Sequence, residues 1–402
     1  MVTVQYNPFA PDVHANPYPL YDRLRSEDPV HWSAMMEVWV LSRYDDIVGV
    51  LTDQRWSADR RQARNRFAAE AQRRQEEFGP FGRTQTMLTA DPPLHTRLRR
   101  LVSKAFTPRM VEGLRPRIQE IVDELMDAVQ GSGRMDVIRD LAYPLPVIVI
   151  AEMLGVPPQD RDRFKHWSDE IVGALNGPFA LEETLQRART SANELATYMH
   201  GVIEERRREP RDDLMSGLIA AEEQGQILSE DEMLATAMLL LVAGNETTTN
   251  LIGNGTLALL RNPDQMRTLR DDPSLIPTAV EELLRYDGPV QGTGRVATEP
   301  MEIDGRAIEP GQAVLCMLAA ANRDPAQFGR PDELNLRRHP NEHLAFGDGI
   351  HFCLGAPLAR AEGQIAFQAM LERLADPRLE TEDLRWGGTF ILRGLTNLPI
   401  TF

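Results

Sequence analysis

The run AFGDGIHFCLGAPLAR, Ala345 to Arg360, decides how the chain is read. It sets Cys353, one of only two cysteines, among Gly347, Gly349, His351 and Gly355, with Pro357 close behind. Glycines permit backbone conformations and close approaches that a side chain forbids. Leu354 and Gly355 read as the start of a helix, because proline is tolerated in a first turn. Cys353 therefore stands at a helix N-terminus, where free N–H groups and the helix dipole favour a thiolate. Cys316, inside the apolar run VLCML, keeps the plainer reading of a small buried hydrophobe.

Composition bounds the rest. The 402 residues show no internal repeat, low-complexity run or Gly/Ser linker, so one large domain over residues 1–402 is expected. At 42% hydrophobic and 26% charged, the chain can bury a substantial core. Two cysteines argue against a disulfide framework and against a cysteine-built zinc site. The N-terminus has neither a secretory pattern nor a membrane-spanning apolar run, so a cytoplasmic protein without membrane contact is expected. A formal charge of −16 excludes nucleic acid as a natural partner. Between Asp91 and Arg117, however, seven Lys/Arg face two acidic residues. Such a stretch is either a solvated helix face or a contact with an anionic cofactor or acidic partner.

Periodicity supplies the architecture. Val30 to Leu51 reads as a short strand pair and a helix. From Ile118 to Val129 apolar residues recur at helical spacing, with Pro116 near the start and Gly131 past the end. Most of residues 95–285 reads as helix. The longest helix is predicted from the Ser229/Glu232 capping box to about Arg261, and its all-round apolar character predicts burial. After Arg285 come strands and hairpins: Val296, Met301 to Ile303, the Asp304-Gly305 turn, Ile308 and VLCML, then a last strand pair in FILRGLTNLPI. The fold class is mainly α with a smaller β part, at approximately 30–45, 290–320 and 380–402.

Phe346, Gly347, Gly349, His351, Cys353 and Gly355 resemble the haem-binding signature of the cytochrome P450 superfamily. The resemblance implies a single-domain P450 fold with haem b between the long central helix and the cysteine loop and last helix. Cys353 would be the axial ligand of the haem iron, and the glycines would let the backbone approach the porphyrin. In AVEELLRYDGPV, Glu282 and Arg285 match the family's Glu-x-x-Arg motif, a structural ion pair that Arg338 would complete. In AGNETTTN, Ala243, Gly244, Glu246 and Thr247 are similar to the oxygen-activation motif. Thr247 would hydrogen-bond the activated dioxygen, and Glu246 would help relay the protons that break the O–O bond. By the same likeness His95, Arg99, Arg295 and His351 would meet the haem propionates, whose burial demands charge-assisted partners.

The implied activity is that of a soluble bacterial haem-thiolate monooxygenase. It would use O2 and externally supplied electrons to hydroxylate or epoxidise a hydrophobic small molecule. No fused reductase is expected, so a ferredoxin or flavodoxin with its NAD(P)H-dependent reductase would be the electron source. Arg97, Arg100, Lys104 and Arg109 are candidates for docking that acidic partner. Two alternatives stand beside this activity. A peroxide-driven peroxygenase would leave the Glu246/Thr247 relay dispensable, and a non-catalytic haem sensor would need no alcohol beside the iron. By position in the family pattern the substrate pocket would draw on Phe78 to Met87, Ile171 to Leu181, Met238 to Thr247, Val290 to Gly294 and Leu395. Phe81, Met87, Leu239, Val242, Ala243, Val290 and Leu395 would make it mainly apolar, suited to a terpenoid, steroid, fatty acid or macrolide. The polar segment Arg60 to Arg83 is expected to form a mobile lid.

Overall fold

A computed structural model describes residues 4–174, 181–222 and 224–402. The helix Glu230–Arg261 runs through its middle, 32 residues and about 48 Å long. It begins as its spacing predicts: the Ser229 hydroxyl accepts from the Glu232 N–H at 3.2 Å, and the Glu232 carboxylate accepts from the Ser229 N–H at 2.9 Å. It ends at Asn262, ahead of Pro263. Helices Pro144–Met153, Ile276–Asp287 and Ala356–Arg373 pack around it. Adding a Cβ to Gly255 would bring it within 2.6 Å of the Phe367 ring, so glycine is what lets the last helix approach this closely.

Several polar side chains of so apolar a helix find partners, some tying it to its surroundings and some on the helix itself. Asn245 Nδ2 donates to Ser168 Oγ at 2.9 Å. Asn254 Nδ2 donates to the carbonyls of Asp287 and Arg393 at 3.2 and 3.1 Å. Thr249 and Thr256 return their hydroxyls to the carbonyls of Asn245 and Ile252.

The β part is small and lies where the sequence predicts it, with additions. A five-stranded sheet has the order Val30–Ser33, Val38–Leu41, Ala313–Cys316, Thr293–Ala297, Trp56–Ser57. Val38–Leu41 and Ala313–Cys316 run parallel and the other pairs antiparallel. Cys316 is fully buried there. The hairpin Met301–Ile303/Arg306–Ile308 turns at Asp304-Gly305, both with positive φ. The C-terminal run corrects the expected strand pair. Arg393–Leu395 pairs with Trp386–Gly388, whereas Pro399–Thr401 joins Arg134–Asp136 and Arg378–Leu379. Strands of three residues take their partners from distant chain, which local spacing does not encode.

The helix predicted from Ile118 starts earlier, at Pro108, where the Thr107 hydroxyl caps the Met110 N–H at 3.2 Å. Pro116 therefore lies inside it. An interior proline costs about 3 kcal/mol, offset by the burial of Val111, Ile118, Ile121, Val122 and Met126 along one face. Among the described residues, no helix is long and apolar enough to cross a membrane.

The last helix carries Glu362 into the interior at 2% exposure. Burial pushes its carboxyl up to about 8, only partly opposed by a hydrogen bond with Thr248. The native acid thus stays protonated well above the ordinary value of 4.5, where the unfolded chain has already ionised. Folding takes up a proton between those values, so this group's contribution to stability declines from about pH 4.5 to about pH 8 and then levels. Urea unfolding of Glu362→Gln across pH 5 to 9 should show a flatter pH dependence than the parent protein; an identical slope would remove Glu362 as its source.

Candidate functional site

The cysteine loop is built by hydrogen bonds and two left-handed glycines. Asp348 caps the turn Gly349–His351 through the Gly349 N–H at 2.6 Å, and the Cys353 N–H donates to the Phe346 carbonyl at 3.0 Å. Gly347 and Gly349 have φ of 71° and 66°. A Cβ on Gly349 would stand 2.4 Å from the Leu51 carbonyl oxygen. The expected close approach of this glycine is therefore to the helix Tyr44–Thr52. The following helix begins at Ala356, two residues after the predicted start at Leu354, with Gly355 as its cap and Pro357 in its first turn.

Cys353 is accessible although protein surrounds most of it. Burial pushes its thiol up; the Gly355 N–H, Arg99, the Ala356 N–H and Arg360 pull it down without prevailing. The thiolate expected from the helix start is therefore not favoured by these protein groups alone, because lost hydration outweighs the donors.

The predicted basic residues come together beside this loop. The His95 and His351 rings lie 4.4 Å apart, centroid to centroid. His351 Nδ1 lies 3.2 Å from the Met87 carbonyl, and burial, Arg295 and His95 push its imidazole down to about 4. Buried His95 has no hydrogen-bond partner at Nε2 and is also held below its ordinary value, chiefly by burial and then by Arg99. Arg295, 7% exposed, bonds the Gly294 carbonyl at 2.8 Å and Thr293 Oγ1 at 3.5 Å. Arg99 is half-buried and its charge faces Cys353. The carboxylate that reaches this cluster, Asp91, is already committed to Ser57 Oγ, the Ala58 N–H and Gln62 Nε2. The cluster is thus rich in donors and poor in acceptors, a setting for carboxylates supplied by another molecule.

On the central helix Ala243 is exposed and Val242, Gly244, Glu246 and Thr247 are half-buried, whereas Leu240, Leu241 and Thr248 to Asn250 are buried. The Thr247 hydroxyl donates to the Ala243 carbonyl at 2.6 Å. Glu246 Oε2 is buried without a partner, and burial raises its carboxyl to about 7. Asn250, one turn on, lies close enough to favour the ionised form, yet no bond of normal geometry joins the two and Asn250 Nδ2 is also unpartnered.

Of the predicted pocket residues, Met87 and Leu395 are buried, and Phe81, Leu239 and Val242 are half-buried against the main core. Val290 forms a bridge with Leu392. Phe81 belongs to the helix Pro80–Arg83, which packs on the central helix. Arg60 to Arg83 also folds into a short turn and the helix Ala68–Glu76, so the expected lid is largely helical. Within the predicted stretch Ile171 to Leu181, residues 175–180 lie outside the described residues.

Glu282, Arg285 and Arg338 meet in the interior. Arg285 donates to both Glu282 oxygens at 2.7 and 2.9 Å, and Arg338 Nε to both at 3.0 and 3.1 Å. The Asn335 N–H and Asn341 Nδ2 complete the carboxylate's partners, and Arg285 reaches the carbonyls of Asn322 and Pro331. Sequence reading missed these asparagines, which lie in loops with no periodicity. It also missed Glu281, whose carboxylate takes two bonds from Arg360 at 2.7 Å and one from His343. Burial opposes its ionisation, but these partners hold it at about 2.

The Cytochrome P450 family model matches residues 29–376. The chain belongs to the cytochrome P450 family. It is 48% identical to Cytochrome P450 CYP107DY1 of Priestia megaterium, over 90% of this chain and 89% of that protein. It is 45% identical to Cytochrome P450 monooxygenase PikC of Streptomyces venezuelae, over 97% and 92%. The solved structure of Bacillus subtilis PksS, a bacillaene polyketide synthase P450, superposes with a TM-score of 0.91 at 39% identity and covers 99% of both chains. This P450 is a monooxygenase, and its family implies a haem cofactor, O2 and redox partners. The residues fit a haem: an accessible cysteine, an unpartnered His95 nitrogen and an acceptor-poor basic cluster share one region.

Proposed function

We propose that this P450 hydroxylates or epoxidises a hydrophobic or amphipathic small molecule in the bacterial cytoplasm, in secondary metabolism. Its cofactor is haem b, held at the iron by Cys353 and at the propionates by His95, Arg99, Arg295 and His351. Phe346, Gly347 and Gly355 shape the loop that carries the cysteine. When bound, the haem supplies the oxygen-activating chemistry.

One observation carries the reading: an acid with a buried, unpartnered oxygen and an alcohol on a half-open stretch of an otherwise buried helix. Glu246, near neutrality, holds a proton below about pH 7 and is poised to give it up there. Thr247, with its own proton on the Ala243 carbonyl, turns oxygen lone pairs outward as a relay point. A peroxygenase or a sensor gives no reason for this pair. Apolar Phe81, Met87, Leu239, Val242, Ala243, Val290 and Leu395 supply the substrate surface.

Electrons come from a ferredoxin or flavodoxin and its NAD(P)H-dependent reductase. Arg100 and Arg109 are exposed and make no ion pair, whereas Arg97 is spent on Glu232 and Lys104 donates to the Glu222 carbonyl. Arg100 and Arg109 are the charged groups available to an acidic carrier.

Reduced protein exposed to carbon monoxide should give the absorption of thiolate-ligated haem, and Cys353→Ala should lose it; a band that persists rules out this ligand. Thr247→Ala should consume reducing equivalents with little product. Parent activity should fall as pH rises through about 7, and Glu246→Gln should cut turnover by roughly 10²-fold and flatten that profile. Unchanged coupling and pH response in these variants would remove the relay. Arg100→Glu should slow reduction by the carrier and weaken its salt dependence; unaltered kinetics would place the carrier elsewhere.

A further inference from the structure

The basic cluster has a fifth member that the sequence does not single out. Arg60 opens the turn Arg60–Gln62, which packs against the strand Thr293–Ala297 carrying Arg295. Of the nearby arginines, Arg55 has Asp53, Arg61 has Asp59 and Arg66 has Glu37, whereas Arg64, whose stem lies against Gly311, and Arg60 pair with no carboxylate among the described residues. Asp59, next to Arg60 in the chain, accepts from the Arg61 backbone at 3.0 Å and its guanidinium at 2.8 Å. Arg60 has no such partner, and Asp91 is taken by Ser57, Ala58 and Gln62.

Arg60 is exposed, yet lost hydration pulls its guanidinium below the ordinary arginine value. Its surface is accessible while protein surrounds most of the group, the same combination as at Cys353. Arg295 is shifted the same way, first by burial and further by the charge of Arg60 itself. Two guanidinium groups in a poorly hydrated place repel each other, and an anion received between them turns that repulsion into attraction. The guanidinium fork suits a carboxylate, which can take two parallel bonds from it.

We propose that Arg60, together with Arg295, binds a carboxylate at the edge of the P450 cavity. This rests on the haem-protein reading above. Two molecules can bring that carboxylate: the haem, through a propionate, or an amphipathic substrate, through an acid end group. A charge-assisted pair of this kind corresponds to about a tenfold effect or more when removed.

The holoprotein, Arg60→Ala and Arg60→Lys are compared in two measurements. One is the rate of haem transfer to excess apomyoglobin. The other is the Soret shift on titration with tetradecanoic acid and with its methyl ester. If the propionate is held, Arg60→Ala should release haem roughly tenfold faster with acid and ester responses unchanged. If a substrate acid is held, the variant should bind tetradecanoic acid roughly tenfold more weakly and the ester as before. Arg60→Lys should restore part of either effect, since it keeps the charge without the fork. Unchanged haem transfer with the same acid and ester responses in all three proteins, including none in any, overturns the proposal. Failure of the haem reading is distinct: the parent protein would then lack the thiolate carbon monoxide band before any variant is made.

Discussion

The Glu282 carboxylate holds the cysteine loop in place. It is wholly buried and accepts from Arg285, Arg338, the Asn335 N–H and Asn341. A charge in such a place is tolerated only when every acceptor site is filled, and removing one partner of a buried pair costs about 3–5 kcal/mol. The network joins the helix Ile276–Asp287 to the loop that leads to the cysteine. Arg285 holds the Asn322 carbonyl, and the Asn322 side chain takes the Leu344 N–H at 2.6 Å, just ahead of Phe346. Few water molecules compete with these bonds, so the arrangement has one low-energy form.

Electrostatics divides the molecule. The chain carries a formal charge of −16, yet half-buried Arg99 and buried Arg295 gather beside two histidines whose imidazoles are pushed down by burial and by these arginines. Negative charge on the outside favours solubility and repels other acidic macromolecules. Positive charge in a poorly hydrated interior selects anions with greater force, because little solvent screens it. A basic surface on an acidic protein favours the approach of acidic macromolecules, an effect on encounter rate more than on affinity.

Much of this was legible in the sequence, for identifiable reasons. The central helix announces both of its ends through the Ser229/Glu232 box and Asn262-Pro263, and its burial through an unbroken apolar run. The spacing of Phe346, Gly347 and Cys353 identifies the loop through its resemblance to the family's haem-binding signature. What stayed hidden depends on contacts across the chain. The partners of Pro399–Thr401 lie more than 20 and more than 260 residues away, and nothing in a three-residue strand specifies them. Pro116 misplaced the start of a helix, because a tertiary apolar face overrode a local breaker. Arg60 resembles its neighbours in sequence and differs in space, where its turn packs against the strand that carries Arg295 and no carboxylate among the described residues pairs with it. The thiol of Cys353 shows the same limit: donor count is readable from a helix start, whereas hydration depends on what closes around it.

The adjacent acids Glu281 and Glu282 point from one helix to different parts of the loop system. Glu282 grips the segment before the cysteine, and Glu281 grips Arg360 after it, with His343 alongside. Both ends of the cysteine loop are therefore moored to a single rigid rod. A breathing motion that tilts this helix carries the loop along as one body, so the N–H groups of Gly355 and Ala356 travel with the sulfur they face. The electronic environment of that sulfur is in this way mechanically insulated from motions elsewhere, leaving the substrate-facing segments free to change shape without detuning it.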